Sequence, residues 1–320
     1  MRVLITGAAG FLGSRLARRF QAAGHTVLAT ARRPDAALAQ ELGLELGASL
    51  LELDLLAEAP LALPAGLDLL IHAATANEIV SRDPVAGLQL GVVGTQRLLQ
   101  AAVAAGVPRL LFFSTLQVYG TELEGEIDEE TPVRCQSAYG LNHWLGEQLC
   151  ALAAEQHGLA ICAVRPANVY GVPDSRRTER STLVPQCFVR EALAEGRIVL
   201  RSSGLQPRNF VSTDAVADRC LALAAQMPPG MSRALVASAY TPTIRHVAEL
   251  VQERCEAVLG RRPELEIGGS APAAREPFVL RSRWPLPLLT PAAEERRLVA
   301  AIDGLLRRGA SPVEEPSRDG

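Results

Sequence analysis

The chain has 320 residues, 48% of them hydrophobic, which is enough for one large α/β unit or two coupled domains around a sizeable core. Its formal net charge is −3, and all 32 basic residues are arginine, so no basic stripe points to a nucleic acid as partner. We see neither the basic and apolar regions of a signal peptide nor an apolar run that could span a bilayer, and expect a cytoplasmic protein without a membrane partner.

The six cysteines are widely separated and none belongs to a CxxC pair. Several fall inside apolar helical or strand patterns. This spacing predicts reduced thiols in the core of a cytosolic protein, and it gives no support to a structural metal site.

Strand-like and helix-like segments alternate through the first half of the chain, which is typical of a parallel sheet covered on both faces. Asp83-Pro84 suits the start of the second predicted helix and Gly106 its end. The pattern therefore predicts a Rossmann-like, doubly wound parallel sheet. The candidate strands are 2–6, 26–30, 49–53, 68–72, 109–114 and 160–164, and the helices lie near 11–23, 84–105 and 137–157.

The composition changes after about residue 170, where prolines and glycines become frequent. Helical patterns at 181–194, 214–226 and 243–259 alternate with short strand candidates. We expect 268–290 to be irregular and the chain from Gly309 to be a loose tail.

These observations predict three segments. The first, 1–170, is a dinucleotide-binding domain to which some later segments return. The second, 171–308, is mainly a substrate-binding domain, and 309–320 is a flexible tail.

The first candidate strand leads directly into three glycines, Gly7, Gly10 and Gly13. In this arrangement the first glycine permits a tight turn, the second lets a pyrophosphate approach the backbone, and the third lets helix and strand pack closely. The helix that begins near Phe11 then directs its unpaired amide groups at the phosphates. Because the triplet follows a strand and opens a helix, it predicts a dinucleotide site.

The end of the second strand helps to choose the cofactor. A carboxylate there would bind the ribose hydroxyls of NAD, but this chain has Ala31 followed by Arg32 and Arg33. Two guanidinium groups suit a 2′-phosphate, so we favour NADP, with NAD possible; the alternative is a solvated charge pair. Asp54, after the third strand, either accepts a hydrogen bond from the adenine amino group or caps a helix.

Eight short motifs, in this order and spacing, resemble the extended short-chain dehydrogenase/reductase family, in its NAD-dependent epimerase/dehydratase branch that acts on nucleotide sugars. The resemblance covers residues 1 to about 260. It implies a Rossmann-like domain, a smaller substrate domain, and a homodimer through the helices near 84–105 and 137–157. The motifs are Thr6-Gly7-Ala8-Ala9-Gly10-Phe11-Leu12-Gly13, Leu53-Asp54-Leu55, Ile71-His72-Ala73-Ala74, Val93-Gly94-Thr95, Ser114-Thr115-Leu116-Gln117-Val118-Tyr119-Gly120, Tyr139-Gly140, Arg165-Pro166-Ala167-Asn168-Val169-Tyr170-Gly171 and Arg208-Asn209-Phe210-Val211.

The resemblance also implies roles for individual residues. A Ser or Thr, a Tyr and a Lys carry the reaction in this family, and these positions hold Thr115, Tyr139 and His143 here. A second departure is Gly91, where the family usually has Asn. The cofactor positions that the matched motifs imply are Gly7, Gly10, Phe11, Leu12, Gly13, Asp54, Leu55, Ala73, Ala74, Tyr139, His143 and Pro166.

Asn168 and Arg208 match positions that bind the diphosphate of the substrate in this family. A guanidinium can bind two phosphate oxygens at once, so Arg208 suits the role physically. The alternatives are that Asn168 caps a turn and that Arg208 pairs with a surface carboxylate.

Histidine at position 143 bears on the direction of the reaction. A free tyrosine has a pKa of about 10, and a permanent positive charge nearby lowers that pKa. Histidine, with an ordinary pKa of about 6.5, is mostly neutral at pH 7 and helps less than lysine. We therefore hypothesise that His143 favours ketone reduction, in which Tyr139 acts as an acid. The alternative is a helix-surface histidine in a weakened enzyme.

Other reactions of the family are weighed by their side chains. Dehydratases usually have Asp-Glu where this chain has Leu116 and Gln117, and leucine cannot move a proton. The glutamate usual in sugar decarboxylation and the cysteine expected of a GDP-fucose type epimerase-reductase are also absent. The favoured activity is an NADPH-dependent 4-ketoreductase of a nucleotide sugar, with an NAD-retaining 4-epimerase as the alternative.

Two further alternatives stay open. One is a sensor or scaffold that binds NADP without catalysis, although such relatives tend to lose the tyrosine and Tyr139 is present. The other is reduction of a small ketone or aldehyde that is not a nucleotide sugar, because Ser202-Ser203-Gly204 replaces the family's usual Gly-Asp-Gly.

Overall fold

A computed structural model describes residues 1–175, 178, 182–269, 277–284 and 290–310. The strands are β1 (Arg2–Thr6), β2 (Thr26–Ala31), β3 (Leu50–Glu52), β4 (Leu69–His72), β5 (Arg109–Phe113), β6 (Gly125–Ile127), β7 (Ala160–Pro166), β8 (Asn168–Tyr170), β9 (Arg197–Leu200), β10 (Phe210–Ser212), β11 (Ser232–Ala237), β12 (Glu264–Ile267) and β13 (Phe278–Leu280). The α-helices are α1 (Phe11–Ala22), α2 (Ala36–Leu42), α3 (Pro84–Leu88), α4 (Gly94–Ala104), α5 (Ala138–His157), α6 (Val184–Glu195), α7 (Thr213–Ala224), α8 (Ile244–Leu259) and α9 (Pro291–Ala310).

Seven parallel strands form the central sheet, in the order β11-β7-β5-β4-β1-β2-β3. The chain builds outward from β1 in one direction through β2 and β3, and then in the other through β4, β5, β7 and β11. The predicted doubly wound sheet is therefore confirmed. Its strand order reverses between β1 and β4, and ligands of such sheets bind in the crevice beyond the carboxyl ends of the strands at this point.

Alternating side chains of the sheet pack on opposite layers of helices. Val3 and Ile5 of β1 belong to a hydrophobic cluster with residues of α1 and α7. Leu4 lies between them in sequence and belongs to a second cluster, with residues of α4 and α5. Both faces of the sheet are therefore buried, which explains why its strands are nearly continuous runs of apolar residues.

The helix predicted over 84–105 is three consecutive pieces. Asp83 caps the first, α3, by accepting hydrogen bonds from the backbone amides of Val85 and Ala86 at 2.9 and 3.2 Å. A π-helical turn over Gln89–Val93, which we call the π turn, then separates α3 from α4. Local widening of this kind is common at functional sites.

A further hydrophobic cluster combines α6, α8 and α9 with the strands β8, β9 and β10. In α9 the residues at a spacing of four, Leu298, Ile302 and Leu306, are each 0% exposed. This helix and α2 were not predicted from the sequence. The helix predicted over 181–194 begins at Val184, and residue 181 lies outside the described residues.

Two expectations about the C-terminal part need correction. The stretch 268–290 is not wholly irregular, because β13 pairs in parallel with β6. Gly309 does not begin a loose tail, since it and Ala310 are the last residues of α9. Short pairing between distant segments leaves little trace in local sequence. Residues 270–276, 285–289 and 311–320 lie outside the described part of the chain.

All six cysteines are free, and four of them are buried. Across the ranges given above, no helix combines the length and the apolar character needed to cross a membrane.

Candidate active site

The glycine turn after β1 is shaped by backbone contacts that leave no room for side chains. Gly7 has φ = +72°, and a Cβ placed there would lie 2.9 Å from the backbone nitrogen of Ala74. A Cβ on Gly13 would lie 2.1 Å from the carbonyl oxygen of Gly7. The N-cap residue of α1 is Gly10, so no side chain occupies the first amide groups of the helix. Unpaired amides beside a cradle without side chains fit the pyrophosphate of a dinucleotide.

A cleft of about 1200 Å3 opens from this turn along the carboxyl ends of the central strands. Such a volume exceeds the range of about 300–1,000 Å3 that a single drug-sized ligand usually needs, so it suits a cofactor and a substrate together. The predicted site residues that line it are Gly7, Gly10, Phe11, Leu12, Gly13, Arg32, Asp54, Leu55, Ala73, Ala74, Thr115, Tyr139, His143, Pro166, Asn168 and Arg208.

Arg33 is the predicted cofactor residue that does not line the cleft. Arg32 and Arg33 are both exposed at the end of β2, but only Arg32 lines the cleft. Asp54 lines it too, and one of its carboxylate oxygens accepts a hydrogen bond from the backbone amide of Leu56 at 2.9 Å. This bond closes a turn and does not cap a helix, since no helix begins at Asp54, and it leaves the second oxygen for another partner.

Two side chains with hydroxyl groups, Thr115 and Tyr139, line the same cleft. Thr115 follows β5 and caps a short 3-10 helix, Leu116–Tyr119, because its oxygen accepts a hydrogen bond from the amide of Gln117 at 3.2 Å. Tyr139 lies in the first turn of α5, behind the N-cap residue Ser137, and is half-buried. Both side chains can present an O–H group to a carbonyl oxygen in the cleft.

His143 lies one helical turn after Tyr139, and their ring centroids are 4.6 Å apart at an interplanar angle of 73°. The imidazole is only 4% exposed, and this burial lowers its pKa to about 4. The nearby carbonyl groups of Phe113 and Ala76 oppose the shift in part. The ring is therefore neutral at pH 7.

Neither ring nitrogen of His143 has a hydrogen-bond partner of normal geometry within the described part of the chain. A buried polar atom without a partner costs about 1–3 kcal/mol. Both nitrogens are buried from solvent and lie near the carbonyl groups of Phe113 and Ala76, so a hydrogen bond from either nitrogen to a ligand requires the imidazole to turn towards the cleft.

A buried ion pair between Glu147 and Arg165 lies next to these groups, and the sequence analysis did not predict it. Glu147 accepts from Arg165 at 2.9 Å to Nε and 2.5 Å to Nη2, and it also accepts a short hydrogen bond from Ser114. Arg165 also donates to the hydroxyl of Tyr119 at 2.6 Å. The only sequence signal was the spacing, since Glu147 lies two turns after Tyr139 on the same face of α5.

The far end of the cleft holds the two predicted substrate residues. Asn168 is the first residue of β8 and donates a hydrogen bond to the carbonyl of Asn209 at 2.8 Å, a contact between distant segments and not the turn cap that the sequence allowed. The guanidinium of Arg208 has no side-chain partner in the ranges that the structure covers, and desolvation by the cleft walls lowers its pKa. An unpaired cation in a partly desolvated position suits an anionic ligand group.

Comparisons with known proteins identify several relatives of this chain. A UDP-glucose 4-epimerase of Mycolicibacterium smegmatis is 31% identical over 229 residues, 68% of this chain and 71% of that protein. A dTDP-4-dehydro-6-deoxy-D-allose reductase of Streptomyces bikiniensis is 28% identical over 284 residues, 84% of this chain and 85% of that protein. The structure of MoeE5 in complex with UDP-glucose and NAD superimposes with a TM-score of 0.76 at 24% identity, covering 97% of this chain and 100% of that one.

The family model described as "NAD dependent epimerase/dehydratase family" matches residues 3–233. This match includes the glycine turn, both candidate catalytic hydroxyls, His143 and the two substrate positions. By this match and by its relatives, the chain belongs to the NAD dependent epimerase/dehydratase family, the nicotinamide-dependent oxidoreductases and epimerases of the extended short-chain dehydrogenase type.

Proposed function

We propose that this protein is an NADPH-dependent 4-ketoreductase of a nucleotide-linked 4-keto sugar. The observation that carries the proposal is the neutral, buried imidazole of His143 beside Tyr139, where the family usually has a lysine. The reductase relative from Streptomyces bikiniensis supports this reaction class.

The side chains of the cleft divide the chemistry between them. Tyr139 donates its proton to the carbonyl oxygen of the sugar, and Thr115 donates a hydrogen bond to the same oxygen. The imidazole of His143 turns towards the cleft and binds a ribose hydroxyl of the cofactor through one ring nitrogen. When bound, the nicotinamide supplies the hydride that the carbonyl carbon accepts.

Direction follows from the charge next to the phenol. Alcohol oxidation needs the tyrosine as a base, so it depends on a phenolate that a neighbouring cation would stabilise. Ketone reduction needs the phenol in its protonated form. A neutral ring at position 143 does not stabilise the phenolate, so Tyr139 keeps the protonated form that ketone reduction needs.

Two neighbouring side chains disfavour elimination of water from the same substrate. Leu116, one residue after Thr115, is buried and cannot transfer a proton. Gln117 lines the cleft, and its side-chain oxygen accepts a hydrogen bond from Ser137 at 3.3 Å. A carboxamide can donate or accept a hydrogen bond but cannot serve as an acid or a base, so Gln117 does not replace the missing carboxyl groups.

Substrate and cofactor are placed by charge at the two ends of the cleft. Arg208, with Asn168 beside it, binds the diphosphate, and the segment 171–308 supplies most of this end. Arg32 binds the 2′-phosphate of NADP at the other end; Arg33, which does not line the cleft, contributes less. A reaction fed by NADPH and a chain with six free thiols suit the reducing cytoplasm.

A second candidate is 4-epimerisation with a retained NAD. It is favoured by the UDP-glucose 4-epimerase that shares 31% identity with this chain. Such an enzyme oxidises its substrate first, and for that step a neutral histidine is the poorer neighbour for the tyrosine.

The first experiment supplies purified protein with NADPH and a panel of dTDP-, UDP- and GDP-linked 4-keto sugars. We expect the absorbance of NADPH to fall with at least one of them. We expect Tyr139→Phe to lose about 10²–10⁴-fold in rate, because it removes the proton donor. Protein that carries NAD as purified and isomerises a sugar without added NADPH would instead establish the epimerase.

Cofactor choice is tested by Arg32→Ala, with Arg33→Ala as the matched control. Loss of one charge-assisted contact to the 2′-phosphate should raise the KM for NADPH about tenfold and leave that for NADH nearly unchanged. Arg33→Ala should change both values little. Equal effects of Arg32→Ala on the two cofactors would contradict an NADP site at this position.

The role of His143 is tested by His143→Lys, with the neutral His143→Gln as control. The equilibrium constant of the reaction fixes the ratio of the kcat/KM values for the two directions, and no substitution can change that ratio. The variants are therefore compared by kcat at saturating substrate and by the pH dependence of kcat. We expect the rise of oxidation with pH to move about one unit lower in His143→Lys, because a cation favours the phenolate. In the wild type, reduction should show no step from His143 between pH 5 and 8. An equal gain in both directions at every pH would refute the argument.

We also propose a homodimer, formed through an apolar helix face that α3, the π turn and α5 share. Its exposed side chains are Val85 (63%), Leu88 (41%), Val93 (50%), Leu141 (45%) and Leu152 (48%). Exposed apolar side chains grouped on one surface commonly mark a protein interface, and we propose that these five form such a group.

The dimer is tested by light scattering of the wild type and of Leu152→Glu. The wild type should have twice the mass of one chain, and the variant one, because a buried unpaired carboxylate opposes association. Leu46→Glu, at a site 46% exposed outside this face, is the control and should remain dimeric. A monomeric wild type at micromolar concentration would contradict the proposal.

A further inference from the structure

A line of buried side-chain hydrogen bonds runs behind the cleft from β1 to the π turn. Thr6 and His72 are opposite each other on the adjacent strands β1 and β4. The hydroxyl of Thr6 lies 2.9 Å from Nδ1 of His72, and Nε2 lies 3.1 Å from the hydroxyl of Thr95. Thr95 in turn donates to the carbonyl of Gly91 at 2.7 Å. The three side chains are no more than 1% exposed.

The two ends of this line determine the direction of every bond in it. A carbonyl only accepts, so Thr95 gives its single hydrogen to Gly91 and must accept from Nε2–H of His72. At the other end the amide of Ala74 donates to Thr6 at 3.3 Å, and Thr6 gives its own hydrogen to Nδ1. His72 is therefore held in the Nε2–H tautomer. Burial, and secondarily the proximity of His143, lowers the pKa of His72 to about 3, so the ring stays neutral.

The near end of the line is part of the dinucleotide turn. Thr6 and Ala74 both line the cleft, and the amide nitrogen of Ala74 is the atom that a Cβ on Gly7 would approach to 2.9 Å. The position of Ala74 therefore sets how closely β1 and β4 approach at the point where the pyrophosphate would lie.

The far end of the line lies beneath α5. Asn142 packs against the π turn, where a Cβ on Gly91 would be 3.3 Å from the Cβ of Asn142. A Cβ on Gly87, one turn earlier, would lie 2.4 Å from the side-chain nitrogen Nδ2 of Asn142. The two glycines form a notch for this side chain, which is only 3% exposed. Because Asn142 directly precedes His143, the way in which Asn142 packs between the two glycines determines where the imidazole of His143 lies relative to the cleft.

We propose that His72 is a positioning residue that holds the dinucleotide turn and the helical notch beneath Asn142 and His143 at one fixed separation. His72 does not line the cleft, so it acts only through Thr6 at one end and Thr95 at the other. The inference rests on the proposed function to the extent that the cleft binds a nicotinamide dinucleotide. A Cβ at position 91 would lie 3.3 Å from the Cβ of Asn142, so a side chain there would require Asn142 to shift within the notch.

Substitutions that remove different hydrogen bonds of this line should change different kinetic constants. Thr95→Val releases the far end, so kcat should fall about tenfold through misplacement of His143, while the KM for NADPH stays within about twofold. Thr95→Ser keeps the hydroxyl and should restore kcat. His72→Asn keeps an acceptor for Thr6 and should resemble Thr95→Val, whereas His72→Gln keeps a donor for Thr95 and should mainly raise the KM for NADPH.

A purely structural role predicts another outcome. All variants would then lose stability to denaturant, yet the folded fraction would keep wild-type kcat and KM well below the melting temperature, and that result would overturn the proposal. Nitrogen NMR of the wild type adds a test that needs no substrate. It should show His72 protonated at Nε2 alone from pH 5 to 8, and the other tautomer or a doubly protonated ring would also overturn the proposal. Failure of the wild type to bind either NADPH or NADH would refute the proposed function and leave the NMR result informative.

Discussion

The buried ion pair between Arg165 and Glu147 joins β7 to the two segments that carry the candidate catalytic groups, α5 and the turn after β5. Glu147 belongs to α5, with Tyr139 and His143, and Arg165 belongs to β7. Ser114, which also bonds Glu147, directly precedes Thr115. Each charged side chain is 5% exposed, and an unpaired charge at that depth would cost several kcal/mol. Neither partner can therefore move without the other, and the hydroxyl groups in front of them keep their relative positions.

Around this charged pair, the proposed site works with neutral groups. A chain without lysine has no flexible cation to place beside the tyrosine, and both buried histidines, His72 and His143, have a lowered pKa because burial disfavours the charged ring. Two neutral imidazoles can each donate and accept one hydrogen bond, so they orient their neighbours without adding charge. The absence of a positive charge on these two rings is consistent with a tyrosine that acts as an acid.

The relatives of this chain include epimerases and reductases on one fold, so the fold alone does not separate the two activities. In the proposed function, the distinction depends on a few side chains at the carboxyl ends of the same strands. We propose that Arg32 selects the dinucleotide and that the residue at position 143 selects the useful protonation state of Tyr139.

Sequence alone was sufficient for the parts of this protein that depend on neighbouring residues. The glycine triplet after β1, the apolar runs of the central strands and the cap at Asp83-Pro84 are local patterns, and each predicted the start or the position of its element within a few residues. The motifs around Thr115, Tyr139 and Arg208 identified side chains that line one cleft, because parallel strands bring their carboxyl ends to one edge.

The remaining features required the tertiary structure, because they depend on contacts between segments far apart in the chain. The pairing of β13 with β6, the packing of α9, the Arg165–Glu147 pair and the line through His72 join partners that no local period connects. The same holds for the neutral state of His143 and for the separation of Arg32 from Arg33. Burial lowers the pKa of the first, and the path of the chain after β2 leaves only one of the two arginines in the wall of the cleft.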